Sequence, residues 1–419
     1  MILVVGAGLA GLASATRLQE AGVDWLLLEA ADQPGGRVVT EITPEGYRLD
    51  RGFQVLLDSY PTARRLLNFA ALQPCYFQSG AMMVGEDGWE KILNPLHHPS
   101  WLLASPLIRS FSLREKISLG LLGSLQCLRS DASLLGNEAG ISAMQEICRL
   151  GLGGDVLEKF LRPFFAGVFL DNELGTDASV FRYDLKKFAL GRALLPANGM
   201  GEIPRQLASR LPISRQRYGS RVTRILRKDG PSGRLTGLEL SSGKKIEADQ
   251  VILATDESTS CRLLGMEEQR TWSEVSTFYF SGDHPLFEGG LLVLPEGREA
   301  LVRHFTDLTN TAPEYAPVGK RLLSATVLNP PEGDLAQRVQ DEITRFLPDF
   351  RHWKFLREVR IQRALPSQAP GFQRLQPERR PSHHSANLWL AGDQVAHASI
   401  DSALANGLLV ADEVLNCIQ

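Results

Sequence analysis

The sequence predicts an α/β protein in which one domain is assembled from both ends of the chain and a second is inserted between them. Three observations carry this. The first 29 residues read strand, glycine turn, helix, strand. From about Pro74 to Ala193 the character changes to helix-like segments separated by prolines. Strand patterns return from Arg221, and the last 32 residues read strand, loop, helix. At 419 residues the chain is too long for one compact core, so two domains are expected.

Each element has its own reason. Ile2 to Val5 is a continuous apolar run, as a strand buried on both faces requires. Leu9 to Ala21 is a small-residue helix closed by Gly22, and Trp25 to Leu28 is a second apolar run ending at Glu29. Together they form a βαβ unit. Arg114 to Leu128 and Val156 to Phe169 read as helices of the middle part. Arg221 to Leu226, Thr236 to Leu240 and Val251 to Thr255 read as strands, with the turn Gly230-Pro231-Ser232-Gly233 between the first two. Thr277 to Phe280 and Arg321 to Val327 read as strands of another sheet, and Glu332 to Phe346 as an amphipathic helix. Leu388 to Ala391 is a strand, followed by a helix from about Ile400 to Ile418. The expected division is 1–72, 194–262 and 376–419 in one domain. Residues 73–193 and 263–375 make the other, with a helical part at about 90–190.

Composition narrows the function. A hydrophobic fraction of 43% and a net charge of −3 with scattered signs are ordinary for a soluble globular chain. No basic stripe points to nucleic acid. The cysteines (Cys75, Cys127, Cys148, Cys261, Cys417) have neither zinc nor redox spacing and read as buried, reduced thiols. No apolar run reaches the roughly 18 residues of a membrane span, and the N-terminus lacks a signal-peptide pattern. A cytoplasmic protein is expected. Trp101-Leu102-Leu103 and the amphipathic Arg114 to Leu128 segment are the places where it would touch a membrane peripherally.

The chemistry starts at Gly6-Ala7-Gly8-Leu9-Ala10-Gly11, a GxGxxG turn between strand and helix. Gly6 permits the tight turn, Gly8 lets the backbone approach a pyrophosphate, and Gly11 allows close helix–strand packing. The helix start, including Ala10, supplies free N–H groups and partial positive charge. Glu29 stands where a carboxylate accepts hydrogen bonds from ribose hydroxyls and repels a 2′-phosphate. A dinucleotide other than NADP is therefore expected. Pro34-Gly35-Gly36-Arg37 follows, with paired glycines that let the main chain lie against a ligand and an arginine suited to a phosphate. At the other end, Gly392 ends a strand, Asp393 follows it, and Ser399 is placed to cap the helix beginning at Ile400.

These residues, in this order, resemble the flavin-containing amine oxidoreductase superfamily: amine oxidases, protoporphyrinogen oxidases and phytoene-desaturase-like enzymes. The matching positions are Gly6, Gly8, Gly11, Glu29, Gly35, Gly36, Arg37, Asp50 and Gly52, then Leu388 to Asp393 and Ser399 to Gly407. The resemblance implies a Rossmann-like FAD-binding domain with a glutathione-reductase-like ββα layer, and an inserted α+β substrate domain. It implies non-covalent FAD, with Gly52 and Phe53 beside the flavin ring. Val222 would contact adenine, Thr255 would pass the pyrophosphate, and Asp393 would meet a ribityl hydroxyl. Ser399 and Ile400 would start the helix facing the flavin's pyrimidine edge. The segment Pro196 to Pro204 is similar to one in protoporphyrinogen oxidase and desaturase-like members.

The chain departs from the monoamine type. The place of one aromatic of that group's flavin-facing pair is taken by Ser399, no cysteine lies near Ala391 or Gly392, and the Ser273 to Gly282 strand has no lysine. The expected function is hydride transfer from a hydrophobic or cyclic small molecule to the flavin, which oxygen or a quinone reoxidises. An amine oxidase and a non-redox isomerase or mutase are the alternatives. No acid–base pair stands out. His397 and His304 are the candidate catalytic residues, and His97-His98 and His383-His384 read as surface rather than metal ligands.

Overall fold

In the computed structural model, which describes residues 1–85, 88–101, 108–135, 139–228, 233–268, 270–371, 383–385 and 387–418, the first strand lies at the middle of a six-stranded sheet. The order is Gln216–Arg217, Trp25–Leu28, Ile2–Val5, Gln250–Leu253, Leu388–Leu390, His383–Ser385. The first five are mutually parallel, and the last pairs antiparallel. Every residue of Ile2–Val5, Trp25–Leu28 and Gln250–Leu253 is buried, which is why those runs, Gln250 apart, are apolar without alternation.

One face carries the helices Leu9–Glu20 and Ile400–Ile418, packed so closely that a Cβ on Gly407 would stand 2.2 Å from the Ala10 carbonyl oxygen. Ser14 Oγ donates to the Gly407 carbonyl at 2.8 Å. The other face is covered by a three-stranded antiparallel sheet, Val222–Arg227, Leu235–Leu240 and Lys245–Glu247, through a shared core that includes Leu3, Val5, Leu26, Leu238 and Val251. Helix, parallel sheet and antiparallel sheet are the expected ββα layering. Of the turn beside the first of these strands, 230–232 lie outside the described residues.

A seven-stranded sheet makes the other large unit. Its order is Lys354–Pro366, Trp272–Gly282, Arg321–Leu328, His304–Asp307, Leu292–Pro295, Gly80–Gly85, Gly88–Leu93. Helix Ala336–Phe346 seals one face, with Val339 and Ile343 against Phe278, Phe280 and Phe305. It starts later than the sequence reading because Gly333 (φ +106°) stands outside the helical region. The opposite face looks into the cavity described below.

Three expectations about the middle of the chain are corrected. The hairpin Gly80–Gly85/Gly88–Leu93 falls at the edge of the stretch read as helical. Its first strand, rich in Ala and Met, is held by parallel pairing to Leu292–Pro295, a partner local sequence does not reveal. The single helix read over Val156 to Phe169 is a π-helical turn, Val156–Leu161, leading into helix Arg162–Phe169. Pro163 lacks an N–H and its ring crowds the preceding turn, which accounts for the widening. The cysteines are not buried: Cys148 and Cys417 are exposed and the others half-buried. Cys148 and Cys417 sit near the last turns of helices whose inward stripe is filled by Ile147, Val414 and Leu415.

Candidate functional site

A continuous cavity of about 1630 Å³ runs from the C-terminal ends of the parallel strands to the helical part of the chain. That exceeds the roughly 300–1,000 Å³ of an ordinary small-molecule site, so there is room for a large cofactor and a second molecule.

The backbone forms the end nearest the parallel strands. Gly6 adopts φ +103°, where a Cβ would lie 2.7 Å from the Ala254 carbonyl oxygen. A Cβ on Gly11 would come within 1.9 Å of the Gly6 carbonyl oxygen, so Gly11 sets the strand–helix packing and is not on the cavity wall. A Cβ on Gly8 would meet nothing within 4 Å, so space is open there. The helix behind it has neither a side-chain cap nor an acidic residue in its first turn. Open space before an uncapped helix start is a cradle for an anion. Gly36 (φ +61°) backs onto this turn, its missing Cβ pointing 3.4 Å from Gly8 Cα. Glu29 fixes the turn from the side: its two oxygens accept from the Ala7 N–H at 2.6 Å and the Ala31 N–H at 2.8 Å.

The two distant motifs meet here. Arg37 Nη2 lies 2.6 Å from Asp393 Oδ2, a carboxylate 7% exposed, and Arg37 Nη1 donates to the Ala364 carbonyl at 3.2 Å. The sequence reading gave each residue a ligand and missed their pairing. Gly392 (φ +101°) donates its N–H to Asn406 Oδ1 at 2.7 Å, tying the strand end to the last helix. Ser399 Oγ accepts the Ser402 N–H at 3.1 Å, as a helix cap should. Val222, Thr255, Ile400 and Ala10 line the same cavity, as do Gly35, Gly52 and Phe53. Thr255 Oγ1 is also 2.8 Å from Ser260 Oγ.

Beneath Gly52 (φ +82°), Asp50 is held by Thr40 Oγ1, by the Met200 N–H at 3.0 Å and by Tyr315 OH at 2.7 Å. Tyr279 OH donates to its carbonyl at 2.8 Å. Burial pushes the Asp50 carboxyl up to about 6, against the lowering effect of those hydrogen bonds.

The two candidate histidines differ sharply. His397 is not on the cavity wall. Its Nε2 lies 3.1 Å from Ser399 Oγ, and its ring meets Tyr183 edge-on at 5.0 Å. His304 lines the cavity, 5.1 Å from the Phe53 ring, and burial with the neighbouring Arg303 charge lowers it to about 3. It is therefore a neutral imidazole. His97 and His98 are half-buried rather than surface residues, and His97 Nδ1 lies 2.8 Å from Ser79 Oγ. The side chains of His383 and His384 lie outside the described residues.

Uncapped helix start, open glycine turn and twice-bonded Glu29 fit a dinucleotide. The sequence from residue 9 to residue 415 matches the family described as flavin containing amine oxidoreductase. The chain belongs to that family. It is a flavin-dependent oxidoreductase with FAD as its cofactor. It is 25% identical over 463 aligned positions to the "Probable zeta-carotene desaturase" of Synechococcus elongatus, covering 96% of this chain and 95% of that one. Its fold matches putrescine oxidase bound to putrescine (TM-score 0.70, 16% identity, 99% of this chain and 98% of that one). It equally matches reduced UDP-galactopyranose mutase (TM-score 0.70, 16% identity, 99% and 95%). One fold thus carries a desaturase, an amine oxidase and a mutase, so substrate must be argued from this oxidoreductase's own cavity wall.

Proposed function

We propose that this flavin-containing oxidoreductase takes a hydride from a hydrophobic or cyclic organic molecule and passes the electrons on to oxygen or a quinone. The observation that carries the reading is the cavity beyond Gly52 and Phe53. It is lined by Leu119, Phe160, Phe164, Leu185, Phe188 and Ile361. Such a wall desolvates and aligns an apolar substrate, and alignment is what hydride transfer needs from the protein. The bound flavin supplies the two-electron acceptor. The turn at Gly6 and Gly8 and the start of helix Leu9–Glu20 would hold the pyrophosphate, Glu29 the adenosine ribose, and the start of helix Ile400–Ile418 the flavin's pyrimidine edge. Non-covalent attachment is part of the reading: among the described residues, the cysteine on the cavity wall is Cys127, which belongs to helix Leu113–Leu128 and to none of the cofactor segments.

The test is anaerobic mixing of the FAD-loaded protein with polyenes, porphyrinogens and primary or secondary amines while flavin absorbance is followed. Bleaching by the apolar or cyclic compounds is expected. Bleaching by amines alone would assign an amine oxidase instead. Turnover that requires reduced flavin yet consumes no electrons would assign an isomerase or mutase.

A second observation extends the reading to the surface. Helix Leu113–Leu128 lines the cavity through Leu119, Gly123 and Cys127, while Leu113, Ile117, Leu121 and Leu125 are 55–73% exposed on its outside. Among the described residues no helix is long and apolar enough to cross a membrane. The helix is suited instead to lie on a bilayer, with an apolar cavity directly behind it. Of the companion segment Trp101-Leu102-Leu103, the two leucines lie outside the described residues.

A further inference from the structure

The cavity-facing side of the seven-stranded sheet carries a polar row that the function as read so far does not use. Thr277 is the register partner of Thr326, and Thr326 is the register partner of His304. Directly opposed residues hold their Cβ atoms about 4.5–5.5 Å apart on one face, so the three side chains form a short continuous row. Ser324 lies two residues from Thr326 and extends the row on the same face. These four residues are 0–3% exposed. Thr277 Oγ1, Thr326 Oγ1, Ser324 Oγ and both ring nitrogens of His304 find no hydrogen-bond partner among the described residues. Buried polar atoms are normally paired, and an unmade hydrogen bond in such a place is costly. Five in one patch mark a place built for a ligand atom.

The row lies beneath the Gly52–Phe53 segment. The Cβ that Gly52 lacks would stand 4.0 Å from Thr277 Oγ1, and the Phe53 ring tilts over His304. Gly167 opens the far side, since a Cβ there would come within 2.6 Å of His304 Nδ1. His304 and Thr326 both reach the cavity wall. Hydroxyls and a neutral imidazole donate and accept hydrogen bonds but carry no charge. They suit neither an ammonium nor a carboxylate.

The geometry points to Thr326 and His304, backed by Thr277 in the neighbouring strand, as a specificity subsite for an uncharged oxygen function, a hydroxyl or carbonyl, on an otherwise apolar substrate. This rests on the apolar-substrate reading above and narrows it: an oxygen-bearing substrate completes the row, whereas a pure hydrocarbon leaves it unpaired. The carbonyl edge of the flavin offers the same chemistry, so the experiment separates the two.

The probes are 2-decanone and n-decane, whose binding to the FAD-loaded protein is measured by headspace partition, independently of turnover. Thr326→Val and Thr277→Val keep the shape of the side chain and remove the hydroxyl. Each is expected to weaken 2-decanone roughly tenfold, leave n-decane unchanged or tighter, and leave the unfolding midpoint of the unliganded protein unchanged or raised. Equal changes for the two probes, or no change for the ketone, would overturn the subsite. A loss of FAD affinity or a shifted flavin spectrum, with ketone binding intact, would assign the row to the flavin and overturn it likewise. If neither probe enters the wild-type cavity, the apolar-substrate reading fails and takes this inference with it. If both enter alike in every variant, only the subsite fails.

Discussion

Asp50 shows how a residue placed for architecture acquires a titration. It stands two positions before Gly52, fully enclosed, with Thr40, Met200 and Tyr315 around its carboxyl. Burial raises it to about 6 from an ordinary 3.8. Between those values the folded protein keeps a proton that the unfolded chain has released. The stability this contributes is present below about pH 4 and is lost as pH rises through about 6. Its total is about 3 kcal/mol at 1.36 kcal/mol per unit. His304 runs the other way: it is lowered to about 3, and its contribution is lost as pH falls. Asp50→Asn retains His304, so the difference between wild type and variant isolates Asp50. Urea unfolding of the two from about pH 4 to 7.5 should show wild type losing stability relative to Asp50→Asn as pH rises. A flat difference would mean that folding does not raise the carboxyl above its unfolded value.

At the scale of single elements, the legible parts are those whose geometry is dictated locally. The turn Gly6 to Gly11 must be glycine because a Cβ at Gly6 or Gly11 would strike backbone, and that constraint is written in neighbouring residues. The runs Ile2–Val5 and Val251–Leu253 are apolar throughout because both faces are covered. The hairpin Gly80–Gly85/Gly88–Leu93 was not legible, because its strand character comes from pairing with Leu292–Pro295 far along the chain. The Thr277–Thr326–His304 row was half-legible. Arg321 to Val327 reads as a strand, and Ser324 and Thr326 alternate with Leu323, Ala325 and Val327, but nothing local shows that Thr326 borders a cavity. The helix Leu113–Leu128 is the opposite case: the sequence offers it as an amphipathic surface segment, and much of its apolar stripe does face outward. Co-sedimentation with anionic lipid vesicles should capture the wild type. The double variant Leu121→Glu/Leu125→Glu should lose most of that binding and keep its unfolding midpoint, both side chains being exposed. Equal capture of the two would place the bilayer contact elsewhere or remove it.

Over the whole molecule, segments from both ends of the chain close one cavity. The first strand pairs with Trp25–Leu28 on one side and Gln250–Leu253 on the other, the C-terminal strand follows, and Arg37 reaches Asp393 across that assembly. Sequence reasoning found each end by its glycines and acids. It could not find the Arg37–Asp393 contact, because a pair 356 positions apart leaves no spacing to read. The same holds for the far wall of the cavity, where phenylalanines and leucines of several helices meet. Such residues look alike in sequence whether they fill a core or line a space for substrate.

The most direct test is FAD titration of the unliganded protein and of Gly8→Leu. Gly8 has φ −71°, open to any residue, and no atom within 4 Å of where a Cβ would stand, so the variant should fold normally and fill the cradle. The account predicts one FAD per wild-type chain, and loss of nearly all binding in Gly8→Leu with an unchanged unfolding midpoint. Undiminished FAD uptake by Gly8→Leu, or no uptake by the wild type, would contradict it.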